Sequence, residues 1–211
     1  MKHSNQLDYL ATIKKNHKIH THIEPEKNDH IEDKIFRHLR ALKNANRLSG
    51  IKLLQSYSVA EHCYYTGLLF ETIAEYERIR ITRDETYFVY RHDIIETITG
   101  DILLPVKIHS EIVKNKWESI ERTIIRDKYT YLIPFLDSHL SDHFSKLTWN
   151  LFKACDLFEL YLFCQEEIEL GNMTKGVWTV LKNCQNLLPE FNIHFINERI
   201  DQYIKFNANE D

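Results

Sequence analysis

An all-α domain is what this sequence predicts, and three observations carry the reading. Glycine and proline are scarce, 5 and 4 in 211 residues, where about 7% and 5% are usual. Sheets with tight turns and phosphate-cradling loops consume glycine, so a dinucleotide-binding fold, a P-loop enzyme and a β-barrel are all disfavoured. Apolar residues recur at helical spacing along most of the chain, and no alternating run is long enough for a strand. Capping motifs stand at the starts of the segments those periods define.

In chain order, residues 1–29 form a polar arm rich in Lys, His and Asn. Its His17, His20 and His22 lack carboxylate or cysteine neighbours at helical spacing, so they read as part of a loose arm rather than a metal site. A domain follows over 30–206, with a short tail at 207–211. Ile31, Ile35, Leu39 and Leu42 predict a helix to about Asn44, broken at Arg47-Leu48-Ser49-Gly50, with irregular chain to Tyr57. Ser58-Val59-Ala60-Glu61 has the form of a capping box and opens a helix to about Arg78, with Val59, Tyr65, Leu69 and Ile73 on its apolar side. Thr82-Arg83-Asp84-Glu85 is a second box, opening a helix through Thr97, which Gly100 ends and Pro105 prevents from continuing. Further helices are expected from Val106 to Arg126, after Pro134, and from Ser145 to Leu170 with Gly171-Asn172 as its stop. Segments 174–188 and 193–206 complete the domain.

Composition excludes several functions. Apolar residues at 43% and charged residues at 27% are the balance of a soluble globular protein. A net charge of −4 argues against a partner that is a nucleic-acid polymer, whose binders carry a basic excess. The most apolar stretch, Leu147 to Cys164, is interrupted by Lys153, Asp156 and Glu159, so no membrane span is expected. Polar sequence after Met1 lacks a hydrophobic signal core. Cys63, Cys155, Cys164 and Cys184 form no Cys-x-x-Cys pair and read as reduced, buried thiols of a cytoplasmic protein.

The chemistry is expected where histidine meets carboxylate. His62 lies in the first turn of the capped helix, His92-Asp93 near the end of the next, with Glu96 and Asp101 just beyond. Asp156 sits inside the apolar run Leu151-Phe152-Lys153-Ala154-Cys155-Asp156-Leu157-Phe158, where a carboxylate is costly to bury unless paired or bound to a metal. Two imidazoles and two carboxylates from separate helices suit Zn, Mn, Co or Fe and leave positions open for water and substrate. A Lys or Arg partner for Asp156 is the competing reading on spacing alone.

The order His, His-Asp, distant Asp resembles the HD-domain metal-dependent phosphohydrolases. The local segments resemble one branch closely, the bacterial YfbR-like 5′-deoxynucleotidases. They are Asn46-Arg47, Ser58 to His62, Arg91-His92-Asp93-Ile94-Ile95-Glu96, Thr99-Gly100-Asp101 leading to Pro105-Val106-Lys107, and Lys153-Ala154-Cys155-Asp156, with a helix ending at Glu166 to Asn172. This likeness spans roughly 34–175. It implies a single HD-domain helical bundle with a metal site between helices, and a likeness of assembly implies a homodimer or higher homo-oligomer.

Carried over position by position, the resemblance makes His62, His92, Asp93 and Asp156 the ligands of a divalent metal (Co, Mn or Zn, with Fe and Mg as further candidates). It makes Glu96 the acid that orients or activates water, Asp101 a second active-site acid, and Arg47 the phosphate-binding residue. Lys107 is a candidate second phosphate contact. Glu96 follows His92 by four, which on a helix puts both on one face. Arg47 offers a planar donor fork suited to phosphate. Leu48 departs from the family, where a tryptophan follows the arginine near the sugar; a smaller residue leaves room for a ribose hydroxyl. Tyr57, Tyr64 and Tyr65 are candidate walls for the base, with ordinary core packing as their alternative. The implied activity is a 5′-nucleotidase acting on (deoxy)nucleoside 5′-monophosphates. A triphosphohydrolase acting on a deoxynucleoside triphosphate such as dATP would use the same cage, and a nucleotide-binding regulator without turnover is the non-enzyme alternative.

Overall fold

A computed structural model describes residues 37, 39–102, 110–128 and 144–207, all within the compact unit Phe36–Asp211. The polar arm, Pro105, Lys107 and the helix expected after Pro134 lie outside the described residues. Those described are helical, and no strand occurs among them; the nearest approach is an isolated bridge between Asn46 and Ser58. The helices are α1 (Val59–Tyr76), α2 (Arg83–Val89), α3 (Glu96–Thr99), α4 (Glu111–Lys128), α5 (Lys146–Glu169), α6 (Lys175–Leu187) and α7 (His194–Asn207). Short 3₁₀ turns occupy Leu42–Asn44 and Leu188–Phe191.

Both capping boxes form. Ser58 Oγ accepts from the Glu61 amide at 3.2 Å while Glu61 Oε2 accepts from the Ser58 amide at 2.8 Å. Thr82 and Glu85 do the same at 3.2 and 2.6 Å. Helix α5 starts at an N-cap, Ser145. It ends with Asn172 N donating to Glu167 O and Gly171 N to Ile168 O, Gly171 taking φ +94°. That is the paired reverse bonding of a Schellman stop, which needs a left-handed residue.

Helix α5 is the centre of the bundle, with α1 and α6 packed along it and α2 beside α1. Phe70, Ile73, Leu151, Phe152, Tyr161 and Leu181 are fully buried between them. The buried face of α1 is Val59, His62, Cys63, Thr66, Gly67, Phe70, Ile73 and Ala74, not the expected Tyr65 and Leu69 side. Tyr65 is exposed. The true stripe repeats at three and four residues, but it contains His62, Thr66 and Gly67, which hydropathy does not register as core.

The second box does not run through to Thr97. Helix α2 stops at Val89, and Tyr90 to Ile95 form consecutive tight turns, with Arg91 N donating to Phe88 O, Ile94 N to Arg91 O and Glu96 N to Asp93 O. On a straight helix adjacent residues point about 100° apart; the tightened chain turns His92 and Asp93 to one side. Gly100, at φ +68°, ends α3 where a stop was expected.

Gly67 sets how closely the His92 segment approaches α1. A Cβ there would lie 2.3 Å from the Tyr90 ring, whose hydroxyl donates to Glu71 at 2.8 Å. Gly67→Ala is therefore expected to destabilise the fold by about 1–3 kcal/mol, the usual cost of overpacking. In a Tyr90→Ala background the same change is expected to stabilise by up to about 1 kcal/mol, through helix propensity alone. Urea unfolding of the four proteins checks both signs.

Candidate metal centre

Three separate segments bring His62, His92, Asp93 and Asp156 together. His62 is carried by α1 and is fully buried. His92 and Asp93 come from the tight turns after α2, and Asp156 from the middle of α5. His62, His92 and Asp93 each offer an atom, all lying within 4.8 Å of one another. His62 Nε2 stands 3.2 Å from His92 Nε2, 3.7 Å from Asp93 Oδ2 and 3.1 Å from Asp156 Oδ1. His92 Nε2 stands 3.3 Å from Asp93 Oδ2 and 3.8 Å from Asp156 Oδ1.

The far nitrogens decide which protons these rings carry. His92 Nδ1 lies 2.7 Å from Val89 O; a carbonyl only accepts, so Nδ1 donates. His62 Nδ1 lies 2.5 Å from Glu159 Oε2, and an ionised carboxylate likewise only accepts. With Nδ1 the donor in each ring, the two Nε2 atoms face each other with two carboxylate oxygens close by. Atoms so placed repel unless positive charge, a proton or a metal ion, lies among them. Donors about 2.1 Å from one ion stand roughly 3.0–3.4 Å apart; the separations of 3.1, 3.2 and 3.3 Å fall in that range, and those of 3.7 and 3.8 Å are longer. The residues fit a divalent metal on geometry and on donor type.

The electrostatics agree in direction. Burial alone would lower the His92 pKa, but the Asp93 carboxylate outweighs it and holds the ring well above the usual imidazole range. Burial would raise Asp93 too, and His92, Arg47 and His62 together hold it below the carboxylate range. Asp156 is depressed in the same way against its burial, by Lys153 and the two imidazoles.

Arg47 meets the centre through Asp93, Nη1 to Oδ2 at 2.9 Å. Its loop is closed by the bridge at Asn46 and Ser58 and by Arg47 N donating to Tyr57 O at 2.8 Å. Glu96 is buried at the start of α3, three residues after Asp93; burial would discharge the Arg47 guanidinium, but Tyr57, Asp93, Asp156 and Glu96 outweigh it and hold Arg47 above its ordinary range. Asp101 Oδ2 accepts from the Leu48 amide at 3.0 Å, bracing a residue at φ +53°. The Leu48 side chain itself is 9% exposed and packs in the core. Lys107 lies outside the described residues.

Spacing did not reveal two residues behind His62. Glu159, buried, bonds His62 and also accepts from the Tyr57 hydroxyl. Burial and Glu159 hold the Tyr57 pKa well above the phenol range, so it stays a donor. The available signal was a glutamate three residues after Asp156 in an apolar helix. Tyr57 is buried and stacks on Phe163 at 3.8 Å, while Tyr64 and Tyr65 are exposed and touch each other edge-to-face. A cavity of about 430 Å³ lined by Tyr57, Glu61, Tyr65, Glu159, Phe163 and Glu166 among others lies on the Nδ1 side of His62. None of the four converging residues lines it, and its carboxylates repel phosphate. All four cysteines are free and buried, and burial raises Cys184 to about 12.

Comparison with known proteins gives these features a family. The chain resembles the 5′-deoxynucleotidase of Klebsiella pneumoniae, 26% identical over 152 residues, covering 65% of this chain and 74% of that protein. It resembles that of Yersinia pestis at 27% over 152 residues, covering 65% and 75%. Among solved structures, the Listeria innocua HD-domain phosphohydrolase shares the fold with a TM-score of 0.63 at 19% identity, covering 82% of this chain and 88% of that one. A cyanophage S-2L HD phosphohydrolase (DatZ), bound to dA and one catalytic Zn²⁺ ion, shares it with a TM-score of 0.58 at 16% identity, covering 80% and 95%. The family model for the YfbR-like 5′-deoxynucleotidases matches residues 34–203, nearly the whole helical domain, and the chain belongs to that family.

Proposed function

We propose that this protein is a metal-dependent 5′-nucleotidase that hydrolyses (deoxy)nucleoside 5′-monophosphates. The observation that carries the reading is the pair of Nε2 atoms 3.2 Å apart, each with its other nitrogen committed to an acceptor. Family membership supplies the substrate class, and the dA and Zn²⁺ held by the cyanophage relative of like fold support it. His62, His92, Asp93 and Asp156 would hold the metal. A divalent transition ion, when bound, neutralises phosphate charge and makes water a better nucleophile at neutral pH.

In the reaction, water attacks phosphorus and gives a proton to Glu96, the bond from phosphorus to the 5′-oxygen breaks, and the leaving oxygen takes up a proton from solvent. Glu96 is assigned the water proton, since it is a buried carboxylate three residues after Asp93 and matches the family's water-activating acid. Arg47 is assigned the phosphate oxygens. Its planar guanidinium, paired to Asp93 at the edge of the centre, has the donor fork that suits phosphate oxygens as charge redistributes in a loose transition state. Asp101 holds the Leu48 amide, so we assign it to positioning the Arg47 loop rather than to donating a proton. Lys107 is retained as a second phosphate contact. No helix among the described residues is long and apolar enough to cross a membrane, and a cytoplasmic homo-oligomer is the form we propose for the enzyme.

The test is a panel of deoxy- and ribonucleoside mono- and triphosphates incubated with Mn²⁺, Co²⁺ or Zn²⁺, with products separated by chromatography. Inorganic phosphate from monophosphates is the expected result. Triphosphate released from dATP would move the cut to the alternative substrate, and binding without turnover would make the protein a regulator.

Variants separate the assigned roles. Asp156→Ala and His92→Ala are expected to lose both metal and turnover, as read by elemental analysis of the purified protein; an unchanged ion content would remove that residue from the ligand set. Glu96→Gln is expected to keep its metal while kcat falls by about 10²–10⁴-fold, the range for a lost acid–base group. Arg47→Ala is expected to raise KM with little change in metal content, because losing one partner of a charged contact costs about 2–5 kcal/mol. Steady-state kinetics on the panel's best substrate measure both.

A further inference from the structure

Helix α5 places a carboxylate at each nitrogen of one imidazole. Asp156 Oδ1 lies 3.1 Å from His62 Nε2, and Glu159, three residues later on the same helix face, lies 2.5 Å from His62 Nδ1. Glu159 also accepts from the Tyr57 hydroxyl, which stands 3.3 Å from that same Nδ1. Tyr57 is fixed in turn. Its ring is stacked at 3.8 Å and 8° on Phe163, another α5 residue. Its carbonyl accepts from the Arg47 amide at 2.8 Å, and its ring lies 5.7 Å from the Arg47 guanidinium.

A buried glutamate of this kind is expensive unless it is fully bonded. An apolar residue would fill the same volume at lower cost, and the purely structural requirement of His62 Nδ1 could be met by a backbone carbonyl, as it is at His92. What a carboxylate adds is charge. It holds the proton on Nδ1 and raises the electron density at Nε2, which strengthens a metal ligand.

We propose that Glu159 is a positioning residue of the metal centre, with Tyr57 as its anchor: it locks His62 in the Nδ1–H form with its Nε2 lone pair facing His92 and Asp156. This rests on the metal-centre reading above. Tyr57 also ties this lock to the Arg47 loop, so the ring that holds metal and the residue assigned to phosphate share one support.

The experiment uses the full chain and two readouts, neither of which is turnover. One is the proton on His62 Nδ1, followed by NMR of ¹⁵N-histidine-labelled, metal-free protein. Wild type is expected to show an Nδ1-bound proton shifted far downfield by the short bond to a carboxylate. That resonance is expected to move upfield in Glu159→Gln and to vanish in Glu159→Leu. The other is Zn²⁺ affinity by competition with a chromophoric chelator. Glu159→Gln, nearly isosteric and so expected to fold, should bind Zn²⁺ about 10–100-fold more weakly, the usual effect of losing such a partner. Tyr57→Phe should weaken it less. Glu85→Gln serves as the control, since Glu85 is an equally buried carboxylate bonded to Thr148 and the Thr82 amide, and it should leave Zn²⁺ affinity unchanged.

A wild-type His62 lacking the Nδ1 proton overturns the proposal. So does a Zn²⁺ affinity in Glu159→Gln within twofold of wild type, or an equal loss in Glu85→Gln. Wild type that binds no Zn²⁺, Mn²⁺ or Co²⁺ would instead overturn the nucleotidase reading, while the Nδ1 resonance would still judge Glu159.

Discussion

The centre of this protein is built around one imidazole. His62 is fully buried, Glu159 of α5 holds it at Nδ1, and the rest of the centre is built against its other edge, where Asp156 of the same helix stands. A buried polar ring with free rotation would cost desolvation and deliver no defined lone pair. With both nitrogens assigned, the ring becomes a rigid reference. The turns after α2 bring His92 and Asp93 against it, and the Arg47 loop closes over Asp93.

Close packing of α1 against its neighbours follows from the same need. The ring sits at the start of α1, where the capping box of Ser58 and Glu61 sets the helix direction. Gly67, two turns on, lets the Tyr90 ring lie against the α1 backbone, so the chain that follows enters its tight turns close to His62. Two buried carboxylates away from the centre share one logic, each taking several hydrogen bonds as burial of charge requires. Glu85 bonds Thr148 and the Thr82 amide. Glu167 takes the Leu54 and Gln55 amides and the Asn172 side chain. That second clamp fixes the far end of the loop that begins at Arg47, while Asp101 fixes the near end at Leu48. The loop assigned to phosphate is therefore held at several points by acids that do not themselves face the centre.

Much of this was legible in the sequence, because it is written in local chemistry. Caps at Ser58, Thr82 and Ser145, stops at Gly100 and Gly171, and the apolar periods between them depend on residues within about four positions of one another. The four converging residues were legible for another reason: spacing alone left a Lys or Arg partner open for Asp156, and it was the resemblance of the surrounding segments to the HD-domain phosphohydrolases that singled out His62, His92, Asp93 and Asp156.

What only the tertiary structure decided lies in contacts between distant residues. Glu159 meets His62 across 97 positions and Asp101 meets Leu48 across 53, and no period or cap records such a meeting. The apolar face of α1 was misread because His62, Thr66 and Gly67 are core for reasons of packing and hydrogen bonding rather than hydropathy. The break after Val89 was missed because Tyr90 to Ile95 carry a helix-compatible pattern, and the choice of tight turns lets neighbouring His92 and Asp93 face the same point. Sequence determined which side chains were available and where the capped helices begin. Packing decided which atoms of those side chains face one another, because orientation is set by groups brought close only when the chain has folded.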